Sequence, residues 1–154
     1  MPRCLLIIAH GPSENTRRLS DAVHRGAQGP EFATVEAKLL APLEAGPQDV
    51  LAAQAIVLGT TENLGYMSGA LKDFFDRVYY PCLELTQGLP YALYIRARHD
   101  GTGTRRAVES IATGLRWRAV QEPLLCRGEF REEFVARCEE LGQLMAAGLD
   151  AGIF

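Results

Sequence analysis

The chain has 154 residues, 47% hydrophobic and 23% charged, with a net charge of −3. That length suits one domain, expected over residues 1–154, and buries about 70% of the surface its unfolded form exposes. Nothing in the charge balance selects for nucleic acid, the apolar runs are too short to span a bilayer, and no small-residue cleavage site follows the first apolar run. A cytoplasmic protein is therefore expected, with no nucleic acid and no membrane among its partners. Cys4, Cys82, Cys126 and Cys138 stand far apart, none at metal-ligand or redox-motif spacing, and read as small buried hydrophobes.

Residues 4–9 form a short, continuously apolar run, as a strand buried on both faces does. Leu19, Ala22, Val23 and Gly26 then repeat at helical spacing. Residues 34–39 alternate, Val35, Ala37 and Leu39 against Glu36 and Lys38, as in an edge strand with one drier face. A loop over 41–47 precedes a short helical stretch at 49–53, and residues 55–58 are the next buried strand.

Met67, Ala70, Leu71, Phe74 and Val78 mark a helix, residues 91–95 a strand after Pro90, and Val108, Ile111, Ala112 and Leu115 another helix. Residues 118–126 read as a last strand interrupted by Pro123, which cannot donate to a ladder and so belongs at an edge. Phe134, Cys138, Leu141 and Met145 mark the closing helix. Strands alternating with helices predict an α/β fold with a five-stranded parallel sheet covered on both faces, in the order 2-1-3-4-5.

In such a sheet the ligand crevice lies beyond the carboxyl ends of the strands where the order reverses, here between the first and third strands. The loop His10, Gly11, Pro12, Ser13, Glu14, Asn15, Thr16 opens a helix there. Its free N–H groups, with the hydroxyls and amide of Ser13, Asn15 and Thr16, suit a phosphate monoester; Ser13 or Asn15 serves equally as a simple helix cap. The glycine-rich dinucleotide fingerprint, the Walker lysine and the acidic pair of a phospho-acceptor are all missing.

Thr60, Thr61, Glu62, Asn63, Leu64, Gly65 and Tyr66 make a long strand-to-helix turn, mixing hydrogen-bonding with flat and apolar groups, as the edge and face of a ring system require. The plain alternative is a capped surface turn. Arg98, His99, Asp100 and Gly101 follow the fourth strand and border the same crevice, where Arg98 and His99 can meet a ring carbonyl or a nicotinamide donor; they also suit an ordinary turn.

Together these residues resemble the flavodoxin-like superfamily, in particular its small NAD(P)H-dependent FMN reductases and the quinone reductases of the tryptophan-repressor-binding-protein type. The resemblance covers most of the chain and is carried by residues 5–23 and 55–77. In the second stretch Ala55-Ile56-Val57-Leu58-Gly59-Thr60, then Gly65, Met67-Ser68-Gly69, Leu71-Lys72, Phe74 and Asp76-Arg77, is similar to the family's ring-contacting loop and its helix. Two positions depart: Glu14 stands where the family often has Gly, and must point away from a phosphate, and Thr61 stands where it usually has Pro.

The resemblance implies a three-layer αβα sandwich binding FMN without a covalent link. Ser13, Asn15 and Thr16 would hold the phosphate, in a loop that also brings His10, Pro12 and Glu14. Residues 60–66 and 98–103 would flank the ring. It further implies NADH or NADPH as electron donor, a quinone, flavin or similar small acceptor, chemistry carried by the flavin rather than by a catalytic side chain, and room for a homo-oligomer. Lys72 with Asp76, and Arg17, Arg18, Arg105 and Arg106, read as exposed ion pairs or solvated helix faces.

Two other functions compete. One is a flavodoxin-type electron carrier serving a protein partner, against which a net charge of only −3 counts, since carriers steer by strong acidity. The other is a small metal chelatase using His10, for which His24 and His99 are the only other histidines.

Overall fold

The computed structural model describes residues 2–154. In chain order it consists of β1 (Arg3–Ala9), α1 (Glu14–Gly26), β2 (Val35–Leu40), α2 (Pro47–Leu51), β3 (Ala55–Asn63), β4 (Tyr66–Met67), α3 (Gly69–Cys82), β5 (Pro90–Ala97), α4 (Thr102–Gly114), β6 (Arg118–Ala119), β7 (Leu124–Arg127) and α5 (Glu132–Asp150), with one 3-10 turn at Pro30–Phe32. Among the described residues no helix is long and apolar enough to cross a membrane.

The apolar runs become strands because both faces of the sheet are covered. The side-chain period of two sends Leu6, Ile8, Ile56, Leu58, Leu93 and Ile95 into a core with α3 and α4. The same period sends Leu5, Ile7, Ala55, Val57, Ala92 and Tyr94 into a second core with α1 and α5. Polar residues have no place where both faces are covered, so residues 4–9 of β1 and 55–59 of β3 read as unbroken apolar sequence, and polar residues enter only at the strand ends. The three layers of the expectation are present.

The sheet itself differs from the five strands in order 2-1-3-4-5 that the sequence suggests. It has seven strands, with the path β2-β1-β3-β5-β6, while β4 pairs with β3 and β7 with β5. The single last strand expected over 118–126 is two strands. Arg118–Ala119 pairs in parallel with the start of β5 and Leu124–Arg127 with its end, and residues 120–123, with Pro123, leave the edge between them.

The other added strand is a fold-back. β3 runs on to Asn63, and Asn63 pairs with Tyr66 and Glu62 with Met67 in an antiparallel ribbon. The two-residue loop has Leu64 at φ 54 and Gly65 at φ 74, the pair of positive values that a primed hairpin turn requires. Thr60 and Thr61 thus still belong to the parallel sheet, and residues 62–67 are a hairpin standing at its carboxyl end rather than a plain strand-to-helix turn.

Three of the four cysteines are buried as expected, but Cys4 is only half-buried; all four are free. Lys72 pairs with Asp76 at 2.6 Å on an exposed helix face. Arg77 donates to the carbonyls of Ala45 and Pro42 at 2.6 and 2.8 Å, tying the loop after β2 to α3.

Candidate functional site

The carboxyl ends of β1, β3, β5 and β7 open on one cleft of about 500 Å³, lined by Ser13, Asn15, Thr16, Thr61, Glu62, Leu64, Gly65, Arg96, Arg98, His99 and Phe130. It sits where the strand order reverses around β1 and β3, the position that doubly wound sheets reserve for ligands. That size falls in the usual range of a small-molecule site.

One wall is the start of α1. Ser13 is its N-cap, accepting the Thr16 N–H at 3.2 Å, while Thr16 Oγ1 accepts the Ser13 N–H at 2.9 Å, so the two close a capping box. The Thr16 hydroxyl also donates to the Ser13 carbonyl at 3.1 Å, and Thr16 is 7% exposed. Capping and ligand roles thus fall on the same residues. The N–H groups of Glu14 and Asn15, at the first positions of the helix, have no intrahelical acceptor and carry the positive end of its dipole. The Glu14 side chain is exposed and does not line the cleft.

The second wall is the hairpin. Thr60 is buried; its hydroxyl donates to the Thr61 carbonyl at 2.9 Å and accepts the Ser68 N–H at 3.0 Å, fixing the base of the hairpin to the cap of α3. Thr61 Oγ1 donates to Asn63 Oδ1 at 2.8 Å. Leu64 stands at the tip, wholly exposed. Thr104 Oγ1 donates to the Tyr66 carbonyl at 2.9 Å, and a Cβ on Gly103 would overlap the Gly65 carbonyl oxygen, so only glycine lets α4 come this close to the hairpin.

The third wall is the segment after β5. Glu62 accepts the His99 N–H at 3.1 Å and the Gly101 N–H at 2.9 Å, which holds that segment against the hairpin. Asp100 accepts the Thr102 N–H at 3.0 Å, a bond that keeps its carboxyl below the usual carboxylate range, and its carbonyl accepts from Arg127 Nε at 2.8 Å. His10 is half-buried at the end of β1, its N–H bonded to the Gly59 carbonyl at 3.0 Å, and burial lowers its imidazole pKa.

Of the residues expected from sequence, Ser13, Asn15, Thr16, Thr61, Glu62, Leu64, Gly65, Arg98 and His99 meet in the cleft. His10, Pro12, Glu14, Thr60, Asn63, Tyr66, Asp100 and Gly101 do not line it. Thr60, Tyr66, Asp100 and Gly101 instead make the bonds that hold its frame.

Sequence reasoning missed Phe130 as a lining residue, and it placed Arg96 in the segment that closes the crevice without giving it a role. Arg96 belongs to β5, not to the loop after it, and donates to the carbonyls of Ala97 and Cys126, both at 3.0 Å. Its guanidinium lies over the rings of Phe130 and Phe134 at 5.8 and 5.3 Å. Phe130 follows β7, whose carboxyl end faces the same crevice, and that topological rule was the available signal. Arg18, expected as a solvated cation, forms a double hydrogen bond to Glu132 and lies 5.5 Å from the Phe130 ring; Arg105 pairs with Glu109 at 3.2 Å. Among the described residues no group of three or more His, Cys, Asp or Glu side chains is placed to hold a metal ion.

No protein-family model matches the sequence, and comparison with curated protein sequences finds no match. Solved structures do match in fold. A flavodoxin from the domain Archaea superposes with a TM-score of 0.78 at 16% identity, covering 94% of this chain and 96% of that one. The two-electron reduced flavodoxin of Megasphaera elsdenii gives 0.75 at 15% identity, covering 93% and 98%. A flavodoxin, WrbA-like protein from Agrobacterium tumefaciens gives 0.69 at 17% identity, covering 96% of each chain. With its cleft at the switch point of a parallel sheet, and neighbours of this kind along nearly its whole length, the chain has the flavodoxin-like α/β fold.

Proposed function

We propose that this protein binds FMN in the cleft between α1, the hairpin and the segment after β5, and acts as an NAD(P)H-dependent oxidoreductase on a quinone, flavin or similar small acceptor. The observation that carries the reading is the meeting of two unlike walls in one cleft. The start of α1 offers free N–H groups and a dipole suited to a phosphate, while the hairpin and residues 98–99 offer a slot edged by apolar and hydrogen-bonding groups. The flavodoxin-like neighbours support it at the level of fold.

In this reading Asn15, the N–H groups of Glu14 and Asn15, and the Ser13 hydroxyl hold the phosphate, while Thr16 keeps the loop in shape. Thr61, Leu64 and Gly65 border one side of the ring, and Arg98 and His99 the other. FMN, when bound, supplies two-electron chemistry that accepts hydride from a nicotinamide and delivers electrons onward; the protein contributes position and exclusion of water. A location in the cytoplasm accords with this use of a nicotinamide donor.

The visible spectrum of the purified protein, before and after adding FMN, is the direct test. A two-banded flavin spectrum that stays with the protein through gel filtration, and that bleaches within seconds of anaerobic mixing with NADH or NADPH, is the expected result. No retained flavin overturns the reading. Retained flavin that only a reductase protein bleaches moves it to an electron carrier, the second reading, which the flavodoxin neighbours and the exposed Leu64 at the cleft rim favour.

A further inference from the structure

Cys126 and Cys138 lack any redox-motif spacing, yet the fold sets their side chains together. Cys126 lies in β7, opposite Arg96 of β5 in the parallel register, on the face of the sheet that α5 covers. Arg96 donates to the Cys126 carbonyl at 3.0 Å, and its guanidinium lies 5.3 Å from the Phe134 ring. Phe134 and Cys138 are one turn apart in α5, on one helical face, so the helix that meets Arg96 also brings Cys138 over Cys126. The two thiols are hydrogen-bonded to one another, and both are 0% exposed.

The pair has no other polar side chain to bond. Tyr94, on the same face, turns its hydroxyl over Gly59 of β3, the neighbour of β5 on the side away from β7, and has no partner there. Cys82 is buried in the other core, and Cys4 is half-buried at the start of β1. A single buried thiol packs as a small hydrophobe, but two in contact beside a fixed cation have chemistry of their own. The hydrogen bond with Cys138, followed by the charges of Arg96, Arg137 and Arg131, holds the Cys126 thiol below its ordinary range although burial opposes it. The same bond, with burial, pushes Cys138 up. Because the thiolate is the nucleophile, Cys126 is the sulfur that attacks and Cys138 the one that follows.

We infer that Cys126 and Cys138 form a site of reversible oxidation, which a peroxide closes into a disulfide tying the last helix to the edge of the sheet. The site stands whether or not the cleft holds a flavin. The Cys126 thiolate attacks one peroxide oxygen; the O–O bond breaks, leaving a sulfenic acid on Cys126 and a hydroxide that leaves as water with the thiol's proton. The Cys138 sulfur then attacks the Cys126 sulfur. The S–S bond forms as the S–O bond breaks, and the departing hydroxide takes the Cys138 proton as a second water. Two thiols give up two electrons and the peroxide gains them. Access comes by local opening, because β7 has four residues and pairs only with β5, whereas β1 and β3 are each paired on both sides.

The test is to treat the whole native protein with hydrogen peroxide, unfold it in a thiol-alkylating reagent and map its peptides by mass spectrometry. Free thiols should fall from four to two as the pair is lost, with one disulfide joining Cys126 to Cys138 inside a single chain, and dithiothreitol should restore all four. Cys138→Ala should stop at a sulfenic acid on Cys126, which dimedone traps. Cys126→Ala should leave Cys138 a free thiol at the same peroxide dose. The wild-type map decides the disulfide even if a variant fails to fold.

Four thiols that survive the peroxide overturn the inference. So does a disulfide through Cys4 or Cys82 instead, a bond between two chains, or a Cys126 sulfenic acid that never closes onto Cys138. Oxidation of Cys138 in Cys126→Ala as fast as that of Cys126 in Cys138→Ala overturns it as well, because the attacking sulfur would then not be the one beside Arg96.

Discussion

Glu62 accepts the Gly101 N–H at 2.9 Å, joining the outer end of β3 to the residue that opens α4. Its other oxygen takes the His99 N–H at 3.1 Å, so one carboxylate spans the loop that carries Arg98. Glu62→Ala leaves both N–H groups without that acceptor, and a loss of about 1 to 3 kcal/mol in urea unfolding is expected. Glu62→Gln, which keeps one acceptor oxygen, should lose less. Amide exchange at His99 and Gly101 should speed up in the alanine variant; unchanged exchange there would show that the loop is held by other contacts.

Thr16 is bound to Ser13 in both directions, through its hydroxyl and through its N–H. Thr16→Ala should therefore cost about 1 kcal/mol of stability as a lost cap, with or without a ligand. It should also weaken FMN, by loosening the loop that presents the Glu14 and Asn15 N–H groups, while riboflavin, which lacks the phosphate, binds both forms alike. Equal losses for FMN and riboflavin would show that the loop does not meet a phosphate.

Much of this was legible in the sequence, and the parts that were not share a physical cause. Residues 5–9 of β1, 55–60 of β3 and 90–95 of β5 are buried on both faces, so the centres of these strands appear as apolar runs. β4 has two residues, and it exists because Leu64 and Gly65 turn the chain. Gly65 advertises such a turn, but a leucine at positive φ does not. The last strand is split because β7 and β6 each need only a few residues of β5 to pair with, and Pro123 alone does not say how far the chain leaves the edge. Phe130 lies between Glu129 and Arg131, in a stretch whose composition reads as solvated loop; only its place after a strand end, which the sequence does contain, brings it to the cleft.

His10 gives a pH dependence of defined sign. Burial depresses its pKa below the ordinary 6.5 of the unfolded chain. Between the two values the unfolded chain binds the proton that the folded one resists, so stability is full above about pH 6.5 and falls as pH drops through that value toward the folded pKa. Urea midpoints of the wild type should decline from pH 7 to pH 5, and His10→Gln, which carries no titrating ring, should show a shallower decline. Parallel curves for the two proteins would remove His10 as a source.

Leu64 combines two costs that a solvent-facing leucine does not need. It holds φ 54 at the hairpin tip, and its side chain is entirely exposed while bordering the cleft. A non-glycine residue in the left-handed region costs about 1 kcal/mol or more, and asparagine tolerates that region far better, especially before a glycine in a two-residue hairpin. Leu64→Asn should therefore raise stability by about 1 kcal/mol in urea unfolding. If the leucine is held there to cover a bound ring, the same variant should weaken FMN and riboflavin equally, by roughly fivefold, since partial burial of a leucine side chain is worth about 1 kcal/mol. Opposite signs in the two measurements assign Leu64 to the ligand. A gain in stability with both affinities unchanged would leave its strain without a role in binding and would withdraw the hairpin tip from the candidate site.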